Sequence, residues 1–559
     1  MKRTMKSRLL QVGATVVALA MTLTACGGAG SRSATNSETA QTEEAAQTVD
    51  ATSTEAPTVD PNRTSTANSD ERYDKVTIAM ASAPQDLGPT TFNDTSKLHI
   101  YYNFYESLFD LRNNEYVPIL AKGYTEVDDL HWDVEIYDNI YDSEGNHITA
   151  SDVVFSINLL VDSGTAVKYD IFDSVEVKDD YTVTFTWTKP VTEIGELEWP
   201  WCRTVIISQA AYESGNFANQ PIATGPYKVT EFVAGSHVTL EANDNYWQTD
   251  ELRDAEHMAN VQTIEYDFIT ETSQHVIALS TGQIQYSEYV PSESLADFMD
   301  GGQYSDNYDV YVTQGSALYV LECNQYDGKL TSDINMRQAI YNALDNEAIA
   351  AVSGTCSPVS ALGTPFFDDY DSDWETAEGN YMAASDLEAA KSYLEQTGYN
   401  GETLKLLCTS VEEVKSMATM IQSLLLQIGV NVEIVSEEEA LLQTDMLDPD
   451  KWDLLIFNIG GGSQVGEWNR IVNNEEFGTG YNMSFIQDDT LQTLFETASS
   501  IEGHTKENMM AVHDYILQNA YYYAMCTPTI NAIYDSHFAQ LTYREHEFLR
   551  PGSCEYYLD

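Results

Sequence analysis

Positive charge is what this chain has least of. Its 559 residues hold 27 Lys and Arg against 88 Asp and Glu, a formal net charge of −61. Affinity for a polyanion comes from clustered cations that neutralise phosphates, so nucleic acid is excluded as a partner. Long apolar runs are scarce as well. Beyond Leu23 no stretch approaches the roughly 20 apolar residues that span a bilayer. Cysteine is sparse at 7 residues, and none lies in a Cys-x-x-Cys pair. Together with the 10 His there is no zinc-type spacing. A Gly-x-Ser-x-Gly elbow, a His-Glu-x-x-His helix and a phosphate-binding P-loop are all missing. No catalytic residue, metal ligand or cofactor is assigned, and the chain is expected not to be an enzyme. A secreted hydrolase stays a remote alternative, because a carboxylate pair for glycoside cleavage would be hidden among 88 acids. What is present is enough apolar surface for a core: 43% hydrophobic and 11% aromatic residues. At about 150 residues per domain, the length allows two to four lobes.

The N-terminus carries the sharpest local signal. Lys2, Arg3, Lys6 and Arg8 precede the apolar stretch Leu9 to Leu23, and Leu23-Thr24-Ala25-Cys26-Gly27 follows. A positive head, a short apolar run and small residues before the cut describe an export signal over residues 1–25. A Cys directly after them resembles the bacterial lipobox, in which the Cys26 thiol is acylated. That lipid would hold the chain on the outer face of the cytoplasmic membrane: the cell surface in a Gram-positive organism, the periplasmic side otherwise. Residues 26–72 are Ala, Thr, Ser, Glu and Gln with few large apolar side chains, so they cannot offset their own ordering entropy. They are expected to form a disordered tether. Six thiols remain: Cys202, Cys323, Cys356, Cys408, Cys526 and Cys554. An exported compartment permits disulfides, and both one or two bridges and buried free thiols stay open.

The body mixes strand and helix patterns without a repeat. Val76 to Met80 is a β-prone run, and Trp132 to Tyr137 alternates as a half-buried strand does. Thr149 with Asp152 offers a capping box ahead of Val153, Val154, Ile157, Leu160 and Val161 on one helical face. Gly225 to Ala242 reads as a hairpin turning at Gly235. Ser385 with Glu388 forms a second capping box, with a stop at Gly398. Val414 to Ile428 is an amphipathic helix, the strand Val430 to Ile434 follows, and Trp452 to Phe457 is a buried strand ending at Gly460-Gly461-Gly462. This order predicts an α/β fold built on mixed sheets. Asp369-Tyr370-Asp371-Ser372-Asp373 starts like a calcium loop, but Trp374 and Asn380 stand where such a loop needs Gly and Glu, so a solvated acidic turn is expected.

Several separated segments resemble one family, the bacterial extracellular solute-binding proteins of family 5. Asn103-Phe104-Tyr105-Glu106-Ser107-Leu108 is similar to its "YEGL" segment, and Val117 to Ala121 to its "PxLA". Thr149 to Ser156 resembles its "TAxDVxFS" helix start. Thr224-Gly225-Pro226-Tyr227, with Asn245-Tyr246-Trp247, matches "TGPY…YW". Ala278 to Ile284 and Ser332 to Asp345 resemble two later motifs, the second containing Arg337 in a structural role. Behind a lipobox and in the family's order, these imply a two-lobed type II periplasmic-binding-protein clamp with an extra subdomain in lobe I. Lobe I would run over 73–313 and return at 523–559, lobe II would be 314–522, and the subdomain would run from Tyr116 to Ala242. The implied function is capture of a peptide or peptide-like solute between the lobes and delivery to an ABC-type import permease. The ATPase would be a separate protein, and the body a monomer. A non-peptide solute, such as a metal complex or a glycoside, is the alternative.

The resemblance also locates a pocket. Peptide binders of the family place an aromatic residue and then an Asp after a lobe II strand, and the Asp pairs with the peptide's ammonium. Phe457 and Asn458 stand there in this chain, but no Asp follows. Asn accepts a hydrogen bond without neutralising charge, and Glu467 is the nearest acid that would substitute. Gly460 and Gly461 either let backbone approach a bulky ligand or form a flexible loop. Trp468 is expected to line the cleft. Trp199, Trp201 and Arg203 make either a lobe I wall with Arg203 holding a carboxylate, or a core pair and a structural ion pair. Tyr105, with Tyr101 and Tyr102, lies near the cleft by the same analogy.

Overall fold

The computed structural model describes residues 57–559 apart from 91–94, 113–114, 165–168, 170, 250, 461–462, 480–481 and 545–547. The export signal, Cys26 and the first part of the expected tether lie outside these residues. Strand β1 (Tyr73–Met80) opens the fold. Next come β2 (Ala121–Asp128), β3 (His131–Ile136), helix α1 (Ala150–Ser163), β4 (Phe172–Asp179) and β5 (Thr182–Trp187). These four strands form an antiparallel sheet in the order β2-β3-β5-β4. Helix α1 starts where the capping box places it: the Thr149 N–H donates to Asp152 Oδ2 at 2.9 Å. Its Val153, Ile157 and Leu160 are buried on the inner face, and Val153 and Ile157 enter a core with Trp132, Phe185 and Trp201.

The hairpin β6 (Tyr227–Val233) and β7 (His237–Ala242) turns at Gly235, whose φ of +74° favours glycine. Then follow β8 (Val261–Phe268), β9 (Tyr286–Ser287), β10 (Tyr308–Gln314), β11 (Leu318–Cys323), β12 (Cys356–Pro358) and α2 (Leu387–Leu394). The remaining elements used below are β13 (Thr403–Thr409), α3 (Glu412–Gln427), β14 (Asn431–Glu437), α4 (Glu439–Asp445), β15 (Leu454–Ile459), α5 (Gln464–Val472) and β16 (Tyr522–Asp535). Ten strands run in one sheet, β14-β13-β15-β11-β16-β9-β1-β8-β7-β6, and β10 and β12 also pair with β16. Helix α3 buries Val414, Met417, Ala418, Ile421 and Leu425, the stripe that its sequence spacing predicts. Helix α2 is capped one residue later than expected. Asp386, not Ser385, accepts the N–H groups of Glu388 and Ala389.

This sheet serves two lobes with separate cores. One core packs Val320, Leu406, Ile421 and Tyr522, and the other packs Val76, Tyr105, Tyr266 and Ala532. Strand β16 belongs to both, since Ala524 to Cys526 lie in the first and Ala532 and Tyr534 in the second. The chain passes between the cores a second time at Gly315 to Ala317, between β10 and β11. The Gly315 N–H donates to the Pro528 carbonyl at 2.7 Å, which ties the two crossings together.

The segments that resembled family motifs touch one another. Tyr246 Oη and Trp247 Nε1 both donate to the buried Glu106 carboxylate. Gly225 packs so close to Phe104 that a Cβ would lie 2.6 Å from its carbonyl oxygen. Arg337 donates to the carbonyls of Thr331, Ser332, Asn519 and Ala520, a structural role. Residues 57–72, expected to belong to the tether, are instead held against the C-terminal residues. Asp60 N–H donates to Tyr557 Oη, Arg63 pairs with Asp559 and stacks on the Tyr557 ring, and Thr66 donates to Glu555. Polar residues that bury little on their own gain partners from the C-terminal residues, which local composition does not reveal.

Candidate functional site: the crevice at the lobe crossings

Strand direction locates the site. In lobe II, β13 is parallel to both β14 and β15, and Ile459 at the end of β15 pairs with Leu318 at the start of β11. The carboxyl ends of these parallel strands therefore lie on the side of the crossings. In lobe I, β1 is parallel to β8 and β9, and β9 is antiparallel to β16, so Met80 also points toward the crossings. Open α/β sheets bind ligands outside the carboxyl ends of strands, where successive connections diverge. From β13 the chain goes to β14 on one side, and from β15 it goes toward β16 on the other. The lobe II strand ends at this divergence are thus Thr409 and Ile459.

A polar cluster sits at this edge. The exposed Asn458 is opposite Tyr319 on β11, and Tyr319 is opposite Cys526 on β16. Tyr319 hydrogen-bonds Asn458, and its hydroxyl is pushed up to about 12, first by burial and then by the Glu413 carboxylate. Half-buried Glu413 lies in the first turn of α3, where the helix dipole favours negative charge. Its Oε1 accepts from Thr355 Oγ1 at 2.6 Å and from the Cys356 thiol at 3.2 Å. Sequence reasoning missed Glu413 and Tyr319. The position of Glu413 just after a strand and at a helix start was the available signal.

The expected site residues divide by burial. Phe457 and Asn458 are neighbours on a strand and so point to opposite faces of the sheet. Phe457 packs toward Leu407, Leu455 and Met483, away from Asn458. Gly460 is half-buried at the strand end, and Gly461 lies outside the described residues. Glu467 is 0% exposed, with Gln464 Nε2 donating to its Oε2, and burial raises its carboxyl well above the ordinary range. Trp468, also fully buried, donates to Leu362 O and Tyr522 Oη and packs against Trp374. In this conformation both support the wall and neither forms its surface. The packing that buries them comes from residues 361–374, far off in sequence.

That same segment corrects the acidic turn. Asp369 is not solvated: its side chain is 4% exposed and accepts the N–H groups of Gln464 and Val465, capping α5 below the glycine run. In lobe I, Tyr105 is buried with its hydroxyl on Leu87 O. Trp201 is fully buried, stacked on Phe109 at 4.8 Å and surrounded by Tyr116, Tyr124 and Trp132. It is a core residue. Arg203 Nε donates to Glu198 at 3.0 Å and its Nη1 to Tyr102 Oη at 2.8 Å, the ion-pair reading of that cluster.

Among the described residues no group of three or more His, Cys, Asp or Glu is arranged to hold a metal ion, and no helix is long and apolar enough to cross a membrane. The curated oligopeptide-binding protein AppA of Bacillus subtilis (strain 168) is 24% identical over 412 residues, covering 68% of this chain and 72% of its own length. The nickel-binding protein NikA of Staphylococcus aureus is 24% identical over 366 residues, covering 64% and 68%. The solved structure of Bacillus subtilis AppA in complex with a nonapeptide aligns with a TM-score of 0.62 at 19% identity, over 88% of this chain and 100% of that one. The family described as bacterial extracellular solute-binding proteins, family 5, matches residues 115–472, more than half of the chain. By its sequence and its two-lobed fold, the chain belongs to the bacterial extracellular solute-binding proteins of family 5.

Proposed function

We propose that this protein captures a peptide or peptide-like solute between its lobes and delivers it to an ABC-type import permease powered by a separate ATPase. It works as a monomer outside the cytoplasmic membrane, held there by lipid on Cys26. Lobe I comprises residues 73–313 and 523–559, and lobe II residues 314–522. The observation that carries this reading is the polar cluster of Asn458, Tyr319 and Glu413 at the carboxyl ends of the lobe II strands, beside the crossings. Glu413 takes the place of the missing Asp. It is half-buried beside Tyr319 at the strand ends, whereas Glu467 is sealed in the core. Solute that touches both lobes closes the clamp through its differential affinity for the closed form.

A non-peptide solute is favoured by two observations: the glycine run after β15 holds no Asp, and a nickel-binding protein stands among the relatives. Native mass spectrometry of the signal-free protein separates the two readings. A spread of bound short-peptide masses is expected, and a single non-peptide mass would overturn the peptide assignment.

Glu413→Gln gives the sharper test. A charge-assisted hydrogen bond is worth about 1.5–3 kcal/mol, so free-amine peptides should bind roughly 10–150-fold more weakly to the variant. N-acetylated peptides should bind wild type and variant alike by calorimetry. Equal losses for both ligands would remove Glu413 from the ammonium site.

A further inference from the structure

All six thiols of the body are free, five of them buried and Cys356 half-buried. Two of them meet. Cys356 starts β12, and Cys526 lies on β16 at the point where that strand leaves the lobe II core. The antiparallel register pairs Cys356 with Pro528, Ser357 with Thr527 and Pro358 with Cys526. The two cysteines are therefore diagonal neighbours on one face, and the Cys356 thiol is within hydrogen-bonding reach of Cys526. Diagonal neighbours sit about 7–8 Å apart, while a disulfide spans Cα separations of about 4.4–6.8 Å. Little movement closes that gap. Strand β12 is three residues long and, among the described residues, pairs with β16 alone. Pro358 and Pro528 also bring no N–H to this stretch of ladder.

We propose that Cys356 and Cys526 form a reversible disulfide, a redox-modified site at the root of one of the two crossings between the lobes. The oxidant is an external disulfide, either a small-molecule one or that of a dithiol–disulfide exchange protein, as an exported compartment provides. Cys356 reacts first, because it is the more exposed and its S–H already donates to Glu413 Oε1 at 3.2 Å. Glu413 takes the proton, the Cys356 sulfur attacks the external disulfide, and one thiolate leaves. The Cys526 sulfur then attacks Cys356 Sγ in the mixed disulfide, loses its proton, and expels the second thiolate. Two protein thiols are oxidised by two electrons, and one external disulfide is reduced to two thiols. The bond ties β12 to the crossing strand just before Thr527, where β16 continues into lobe I.

The test treats the whole signal-free protein with oxidised glutathione, alkylates the remaining thiols, and maps peptides without reduction. The expected product has lost two hydrogens, carries a Cys356–Cys526 cross-link, and still alkylates at Cys202, Cys323, Cys408 and Cys554 once unfolded. Its unfolding midpoint rises, and dithiothreitol returns it to the starting value. Cys356→Ser, at the half-exposed position, should fold normally and lose both the cross-link and the midpoint shift. Cys526→Ala should stop at the glutathione adduct on Cys356. Six alkylated thiols after oxidation, a different cross-linked pair, or a stable glutathione adduct on the wild-type protein would each overturn the proposal.

Discussion

Glu106→Ala is expected to cost about 3–6 kcal/mol of folding stability, because it strands two donors that the native structure has already removed from water. Glu106 is 3% exposed; the Tyr246 hydroxyl donates to one carboxylate oxygen and Trp247 Nε1 to the other at 2.9 Å. The loss is large beside the 5–15 kcal/mol that typically holds a domain. It also falls at a junction between two cores, since Tyr105 on one side of Glu106 packs with Val76 and Tyr266 and Leu108 on the other packs with Trp132, Phe185 and Trp201. Glu106→Gln should recover more than half of the loss. The amide oxygen can accept from Trp247, and the Tyr246 hydroxyl can turn to accept from the amide nitrogen. Urea midpoints of the three proteins check this. Equal losses for Ala and Gln would mean that the negative charge, which Gln lacks, and not side-chain volume or a neutral hydrogen-bond acceptor, is what Glu106 supplies.

Glu106 also marks how far the sequence could be read. Local chemistry was legible: the Thr149–Asp152 box, the Gly235 turn and the stripe on α3 all depend on neighbours within a few residues. The choice of Asp386 over Ser385 was not, because both side chains can cap and the backbone decides which one does. Strands β14 and β15 start one and two residues after the expected positions, as hydrogen bonding sets the ends of strands and hydrophobicity does not. The site was harder. Alternation along β15 is enough by itself to place Phe457 and Asn458 on opposite faces. That Tyr319, Glu413 and Cys526 share one edge follows only from strand pairing across long stretches of chain. Trp201 and Trp468 had the composition of a cleft wall, but an aromatic residue is equally suited to a core, and burial there depends on partners elsewhere in the chain.

One buried group predicts a pH response that no sequence pattern showed. Glu322 on β11 is 0% exposed, accepts a hydrogen bond from the Ser484 hydroxyl through Oε2, and has no partner on Oε1 among the described residues. Burial pushes its carboxyl up to about 7 from an ordinary 4.5, against the smaller downward pull of Ser484. The native state therefore keeps a proton that the unfolded chain gives up, and stability falls as pH rises between these two values. Once the pH is above 7 the accumulated loss is about 3 kcal/mol. Glu467 and Asp369 are also buried with raised carboxyls and add slopes of the same sign, so the informative quantity is the difference between wild type and Glu322→Gln. An amide cannot ionise, and its oxygen can still accept from Ser484. Relative to wild type, the variant should gain about 3 kcal/mol on going from pH 4.5 to pH 8, whatever its absolute stability. Urea unfolding at several pH values reads this directly. Parallel profiles for the two proteins would mean that Glu322 ionises in the folded state as readily as in the unfolded chain.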